Sequence, residues 1–165
     1  EMTSSLVGSE MCIRDSIYRA EEALFDDITL EQYMDHLVDQ TVLILTNEPA
    51  DIYANPTFLP DTMAHDYDKY WTDGRIERVL DVLQQHGIAL EINARYRIPS
   101  FEIIRRAKAR GIKLTFGTNN VDADFGRLEY CAEAIKQCGL TADDIWFPSM
   151  STRRSRPIVI YNRFE

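Results

Sequence analysis

The chain has 165 residues, of which 45% are hydrophobic and 27% are charged. This length is sufficient for one hydrophobic core but falls short of the about 250 residues of a complete β/α barrel. The formal net charge of -9 argues against a nucleic-acid partner, because phosphate binding needs a basic surface. No apolar run approaches the roughly 18 residues that predict a membrane span. Three cysteines without framework spacing favour a reducing compartment, with the cytoplasm preferred, although the sequence does not fix the location.

Residues 1–16 differ in character from the rest of the chain, because they lack sustained apolar periodicity. Met11–Ser16 is similar to a stretch that recurs in translated metagenomic assemblies, where sequencing-adapter read-through is translated as protein. We therefore expect residues 1–16 to be a sequencing artefact, with a genuine disordered leader as the alternative, and an N-terminal part to be missing upstream of Ile17. The folded domain is expected over residues 17–148, and a C-terminal tail over residues 149–165.

Apolar residues at helical spacing predict a first helix that begins after Thr29. Thr29 and Gln32 have the spacing of a capping box, which satisfies amides at a helix start. Val42–Leu45 is continuously apolar, so a short buried strand at that point remains an alternative. Asp51–Ala54 is typical of a strand, which Asn55-Pro56 would end.

Helix and strand patterns then alternate along the remaining sequence. Helices are predicted after Thr72, after Ser100 and around Leu128, and they end at Gly87, Gly111 and Gly139. Strands are predicted at Ile88–Ile92, Ile112–Phe116 and Ile145–Phe147, with a further edge strand at Ile158–Tyr161. This alternation indicates parallel strands joined by right-handed crossovers. An open doubly wound sheet and a barrel both fit it.

Polar side chains gather where these strands end, which is where parallel α/β folds hold their functional residues. They are Asn55, Asp61, His65, Glu91, Asn93, Arg95, Asn119, Asn120 and Asp122. Glu91 lies inside an apolar strand, where an unpaired carboxylate is costly. We expect it to pair with Arg95, Arg97 or Arg127, or to accept backbone amides. A structural ion pair and a catalytic role both remain open for Glu91.

Three of these strand ends together resemble the later half of PHP domains, the polymerase and histidinol-phosphatase group of metal-dependent phosphoesterases. Asp51–Pro56 is similar to the family's strand ending in His-Pro. Ala89–Asn93 is similar to its apolar-Glu-Ile-Asn strand, and Thr115–Val121 to its Gly-Ser-Asp-x-His loop. The resemblance covers residues 51–148. It implies an α/β fold of parallel β/α units that forms the C-terminal part of a PHP-like distorted (β/α)7 TIM-type barrel.

The chain departs from the family at the positions that bind metal. The resemblance places the family's ligands at Asn55, Asn119 and Val121, where the family has histidine, aspartate and histidine. Neutral amides and valine are poor ligands for the zinc, manganese or iron that the family uses. We therefore expect no metal site in this chain, and the cofactor remains unknown. The weak candidates for any residual metal binding are Asp61, His65 and Asp122.

The resemblance implies a divergent PHP-like, phosphoesterase-like hydrolase fragment that acts on an anionic small molecule. Glu91 is its candidate catalytic residue, and Arg95 and Arg127 would hold the anion. The residues expected to orient the substrate are Asn55, Asn93, Asn119 and Asn120. The alternative is a non-catalytic PHP-like domain that binds a ligand or a partner chain. A partial barrel also leaves an open sheet edge, which predicts self-association.

Overall fold

The structure, a computed structural model, describes residues 28–119 and 126–148. The expected leader and tail, with the edge strand Ile158–Tyr161, lie outside the described residues. So do three predicted site positions, Asn120, Val121 and Asp122. Within the described ranges, no helix has both the length and the apolar character needed to cross a membrane.

Helix α1 (Leu30–Asn47) begins as the sequence predicts. The Gln32 N–H donates to Thr29 Oγ1 at 3.2 Å, and the Thr29 N–H donates to Gln32 Oε1 at 2.8 Å. This confirms the capping box. The alternative of a strand at Val42–Leu45 is wrong, because these residues continue the helix and Leu45 adds to its buried side.

After α1 the chain alternates short strands with helices. The elements in order are β1 (Ile52–Tyr53), α2 (Asp61–Ala64), α3 (Tyr67–Tyr70), α4 (Asp73–His86), β2 (Ala89–Asn93), α5 (Phe101–Ala109), β3 (Leu114–Gly117), α6 (Glu129–Cys138) and a 3-10 turn (Ala142–Asp144). Gly87 and Gly139 follow α4 and α6 with φ of 64° and 60°, the left-handed conformation that ends a helix. The predicted ends of these helices are therefore confirmed. Thr72 precedes α4, but its side chain makes no capping hydrogen bond.

Strands β1, β2 and β3 form a parallel sheet in that order. Ile52 pairs with Ala89 between β1 and β2, and Leu90 pairs with Leu114 between β2 and β3. A mixed α/β fold with a small parallel sheet is therefore confirmed. The fourth strand predicted at Ile145–Phe147 is wrong in extent, since Ile145 makes only a single parallel bridge to Leu114. The 3-10 turn ends at Asp144 and Pro148 comes soon after, which leaves little chain for a ladder.

The two faces of the sheet differ in chemistry. Leu90, Ile92 and Leu114 alternate onto one face and are at most 1% exposed, in the hydrophobic core. Glu91 and Asn93 lie on the other face. The polar side chains of β2 therefore lie on the face opposite these apolar residues, in the second half of the strand.

Helices α1 and α4 pack together through a buried arginine. Arg75 is 8% exposed, and its Nη2 lies 2.8 Å from Glu31 Oε2 and 2.7 Å from Asp35 Oδ1. Its Nη1 donates to the Tyr70 carbonyl at 2.9 Å. Nearer the surface, Arg78 and Asp39 link the same two helices at 2.6 Å. These contacts fix α1 against the β/α units.

Candidate functional site

The loop after β1 has an unusual backbone. Asn55 and Thr57 have φ of 47° and 61°, and for a β-branched residue such as Thr57 this region is strongly disfavoured. Thr57 is held by two contacts, because its carbonyl accepts Trp71 Nε1–H at 2.9 Å and its Oγ1 accepts the Tyr67 hydroxyl at 2.5 Å. Strain of about 1–3 kcal/mol per residue persists only where surrounding structure enforces it, and such strain clusters at functional sites. The loop is thus held in one shape beside the strand end.

Glu91 points from the middle of β2 toward this loop. Its Oε2 accepts the backbone N–H of Asn55 at 2.5 Å. The prediction that Glu91 accepts a backbone amide is therefore confirmed. Of the arginines proposed as partners, Arg97 pairs instead with Glu133 at 3.0 Å.

Gly117, at the end of β3, makes room for the Glu91 carboxylate. A Cβ built on Gly117 would lie 1.7 Å from Glu91 Oε1 and 2.6 Å from its Cδ. Real Cβ atoms essentially never come that close to another heavy atom. Glycine at this position therefore leaves room for the carboxylate, because any larger residue would force the Glu91 side chain to move.

Asn93 joins β2 to the same loop. It is fully buried at 0% exposure, and its Nδ2 donates to Asn55 Oδ1 at 2.5 Å. Its Oδ1 accepts the backbone N–H of Tyr96 at 3.1 Å. Asn55, Glu91 and Asn93 are therefore brought together as predicted, and we call these three residues the Asn–Glu cluster.

Asn119 follows β3 with a φ of 46°. Its side-chain Nδ2 is shielded from solvent and finds no hydrogen-bond partner among the described residues. A buried donor left unsatisfied costs about 1–3 kcal/mol, so native structures seldom retain one without a reason such as an absent ion or ligand. Asn119 is thus suited to donate to a bound acceptor.

The other predicted site residues are not part of the Asn–Glu cluster. Arg95 and Arg127 are both exposed. Asp61 opens α2, and His65 is exposed with its Nε2 3.9 Å from Asp66 Oδ2. Over residues 28–119 and 126–148, no three His, Cys, Asp or Glu side chains gather in a way that would hold a metal ion.

A cavity of about 260 Å³ lies beside the cluster, and sequence reasoning missed it. We call it the aromatic cavity, and its walls include Phe58, Asp61, Ala64, Tyr67, Tyr96 and Arg97. One signal was available in the sequence. Phe58 follows Asn55 by three residues, and Tyr96 follows Asn93 by the same interval. An aromatic residue three positions after the polar residue at each strand end indicates that the two loops face the same cavity.

Cys131 on α6 contacts β2. It is 3% exposed, and its Sγ donates to the Ile92 carbonyl at 3.4 Å. Burial, together with the negative charge of Glu91, raises the pKa of the Cys131 thiol to about 11. Cys131 is therefore a neutral core residue at neutral pH, and Cys138 is partly buried.

No family model matches this chain, and neither a curated protein nor a solved structure matches it. The resemblance to PHP domains therefore remains a prediction that three segments carry.

Proposed function

We propose that the chain is the C-terminal part of a PHP-like β/α barrel domain that hydrolyses an anionic small molecule without a transition metal. The observation that carries this proposal is the Asn–Glu cluster. Asn55, Glu91 and Asn93 come from two adjacent strand ends and are joined by hydrogen bonds of 2.5 Å, with Gly117 of the third strand leaving space for the carboxylate.

The order of the described strands fits the barrel of this proposal, and one half of a doubly wound sheet has the same order. In a doubly wound sheet the ligand crevice forms where the strand order reverses. The described strands follow one another in space as they do in the chain, and Ile145 continues that order beside β3. In a closed barrel, the face that carries Glu91 and Asn93 would line the interior.

Glu91 is the candidate general base in this proposal. The hydrogen bond from the Asn55 N–H fixes the orientation in which the Glu91 carboxylate would accept a proton from an attacking water. Positioned proton transfer of this kind contributes about 10²–10⁴-fold to a reaction rate. Arg95 and Arg127 would bind the anionic group of the substrate, and Asn119 Nδ2 would donate to one of its oxygens.

Hydrolysis of p-nitrophenyl phosphate and bis(p-nitrophenyl) phosphate in the presence of EDTA tests the proposal. We expect Glu91→Gln to lose about 10²-fold or more of the wild-type rate. It should keep its fold, because the glutamine oxygen still accepts the Asn55 N–H. Glu102→Gln is the matched control, since Glu102 is an exposed carboxylate on α5 that pairs with Arg106. Equal turnover by Glu91→Gln and wild type would refute the role of Glu91, and abolition of wild-type turnover by EDTA would refute the metal-independent reaction.

A second candidate is a non-catalytic PHP-like domain that binds a ligand or a partner chain. Asn55 and Asn119 favour it, since these amides occupy positions where the family binds metal. Within the described sheet, β1 pairs only with β2, which leaves an edge where a second copy could add. Wild-type protein that binds inorganic phosphate by calorimetry but hydrolyses neither ester would support this candidate. Size-exclusion chromatography would detect self-association, and a compact monomer would contradict it.

A further inference from the structure

The aromatic cavity is tied directly to the Asn–Glu cluster. The Phe58 N–H donates to the Asn55 carbonyl at 3.4 Å, and the Tyr96 N–H donates to Asn93 Oδ1 at 3.1 Å. The cluster therefore positions the backbone of two cavity walls. A molecule that reaches both places would contact the polar cluster at one end and the aromatic cavity at the other.

The walls of the aromatic cavity suit a flat ring. Phe58 and Tyr96 meet edge to face, with ring centroids 4.8 Å apart at an angle of 65°. Tyr67 adds a third aromatic wall, and its hydroxyl is already committed to Thr57. Burial raises the pKa of that hydroxyl far above its usual range, so Tyr67 stays neutral. Stacked and edge-to-face contacts between rings are favourable beyond the area they bury.

The charges of the aromatic cavity do not favour an anion. Arg97 lines it, but the guanidinium is paired with Glu133 at 3.0 Å and lies over the Tyr130 ring at 4.9 Å. Asp61 lines the cavity as an exposed carboxylate. With the Arg97 charge compensated, the Asp61 carboxylate repels an anion, so a neutral group is preferred over an anionic one.

The volume limits the size of the occupant. An engineered cavity of about 150 Å³ holds benzene, whereas sites for drug-sized ligands begin at about 300 Å³. A cavity of about 260 Å³ therefore accommodates one ring or a fused pair of rings. From these features we infer that the aromatic cavity binds a neutral, planar aromatic or heteroaromatic ring. This ring would belong to the substrate whose anionic group Arg95 and Arg127 would bind, a link that rests on the proposed function.

Binding of indole to the full chain, followed by saturation-transfer NMR titration, tests this inference, with cyclohexanol as a non-aromatic probe. Indole should bind saturably and more tightly than cyclohexanol. Ala64→Phe should abolish indole binding by filling the cavity, because Ala64 is an exposed wall residue. Ala132→Phe is the matched control, since Ala132 is exposed on α6 and is not among the cavity walls.

A second variant protects the test against misfolding of Ala64→Phe. Tyr96→Leu removes an aromatic wall but keeps the backbone N–H that binds Asn93, and it should weaken indole binding about 5- to 100-fold. Equal binding of indole by wild type, Ala64→Phe and Tyr96→Leu would overturn the inference. Absence of saturable indole binding to wild type, or equal affinity for cyclohexanol, would overturn it as well.

Different results would refute the hydrolase proposal and the aromatic-subsite proposal. Glu91→Gln should leave indole binding unchanged, because Glu91 does not line the aromatic cavity. If Glu91→Gln loses ester hydrolysis but wild type does not bind indole, the aromatic subsite is refuted and the hydrolase proposal is supported. If wild type binds indole but hydrolyses neither ester, the aromatic subsite is supported and the hydrolase proposal is refuted.

Discussion

Replacement of Gly117 by alanine tests whether the Glu91 carboxylate occupies the space that the structure assigns to it. The new Cβ would lie 1.7 Å from Glu91 Oε1, so the carboxylate must retreat by about 2 Å to reach ordinary van der Waals distance. Such a movement breaks the 2.5 Å hydrogen bond from the Asn55 N–H. Because Glu91 is the flexible partner in the clash, we expect the backbone to stay in place.

The expected loss of stability is the difference between two opposing terms. A hydrogen bond to a charged group contributes about 1.5–3 kcal/mol. Alanine in place of glycine restricts the unfolded chain and recovers about 0.4–1 kcal/mol where the backbone φ is ordinary. Gly117→Ala should therefore destabilise the fold by about 1–2 kcal/mol, which lowers Tm by about 2–8 °C for a chain of this size.

Urea unfolding followed by circular dichroism measures this change in a double-mutant cycle with Glu91→Ala. Once the carboxylate is absent, Gly117→Ala should be neutral or slightly stabilising. Gly74→Ala is the matched control, because Gly74 lies in α4 with no atom within 4 Å of its added Cβ and should gain about 0.5–1 kcal/mol. Equal destabilisation by Gly117→Ala with and without Glu91 would refute the steric reasoning, since the two effects would then be independent.

Three further predictions concern the supports of the site. Asn93→Ala should lower the free energy of unfolding by about 2–4 kcal/mol in the same urea assay, because it leaves the part-buried Asn55 Oδ1 and Tyr96 N–H without this partner. A loss below about 1 kcal/mol would contradict the hydrogen bonds of Asn93. Arg75→Ala should lower the free energy of unfolding by about 1–3 kcal/mol, because it removes packing and leaves the Tyr70 carbonyl without its donor. Arg78→Ala, at an exposed ion pair between the same helices, should lower it by less than about 1 kcal/mol. Similar losses in the two variants would contradict the greater contribution of the buried arginine. Cys131 should be alkylated by iodoacetamide at pH 8 about 100-fold more slowly than a free thiol, since a raised pKa leaves little thiolate. Peptide mapping measures that rate, and labelling of Cys131 as fast in native as in urea-unfolded protein would exclude its burial.

The sequence predicted the helices well where local signals marked their ends. Thr29 with Gln32 started α1, Ser100 capped α5 by accepting the Ile103 N–H at 3.5 Å, and Gly139 ended α6. Each signal depends on backbone groups within a few residues, so no knowledge of tertiary contacts was needed. Thr72 shows the limit of such signals, because the right residue at the right position makes no capping bond.

Long-range contacts decided the features that the sequence did not predict. The apolar residues Ile145–Phe147 predicted a strand, but only Ile145 forms a bridge to the sheet. The preceding 3-10 turn and Pro148 leave too little extended chain for further pairing. No helix was predicted between Pro56 and Thr72, yet this segment contains α2 and α3. The hydrogen bonds from Tyr67 and Trp71 to Thr57 fix that segment, and they join residues that no periodic pattern relates.

The candidate site was predictable in its polar residues and not in its shape. Position at strand ends identified Asn55, Glu91 and Asn93, because parallel strands bring their carboxyl ends to one edge. The clash that requires glycine at position 117 depends on the register of β2 against β3, which no single strand reveals. The aromatic cavity depends on how two loops fold over one another, and local sequence does not specify that.

The hydrogen bonds that connect the cluster to the cavity have a consequence for how this site can diversify. Both are made by backbone N–H groups, those of Phe58 and Tyr96, so these two hydrogen bonds do not depend on which side chain stands at either position. Nearly any amino acid there would preserve the polar residues while it reshapes the cavity. Proline is the exception, because it has no N–H to donate. Single substitutions at positions 58 and 96 can thus reshape the aromatic cavity while Asn55, Glu91 and Asn93 stay in place.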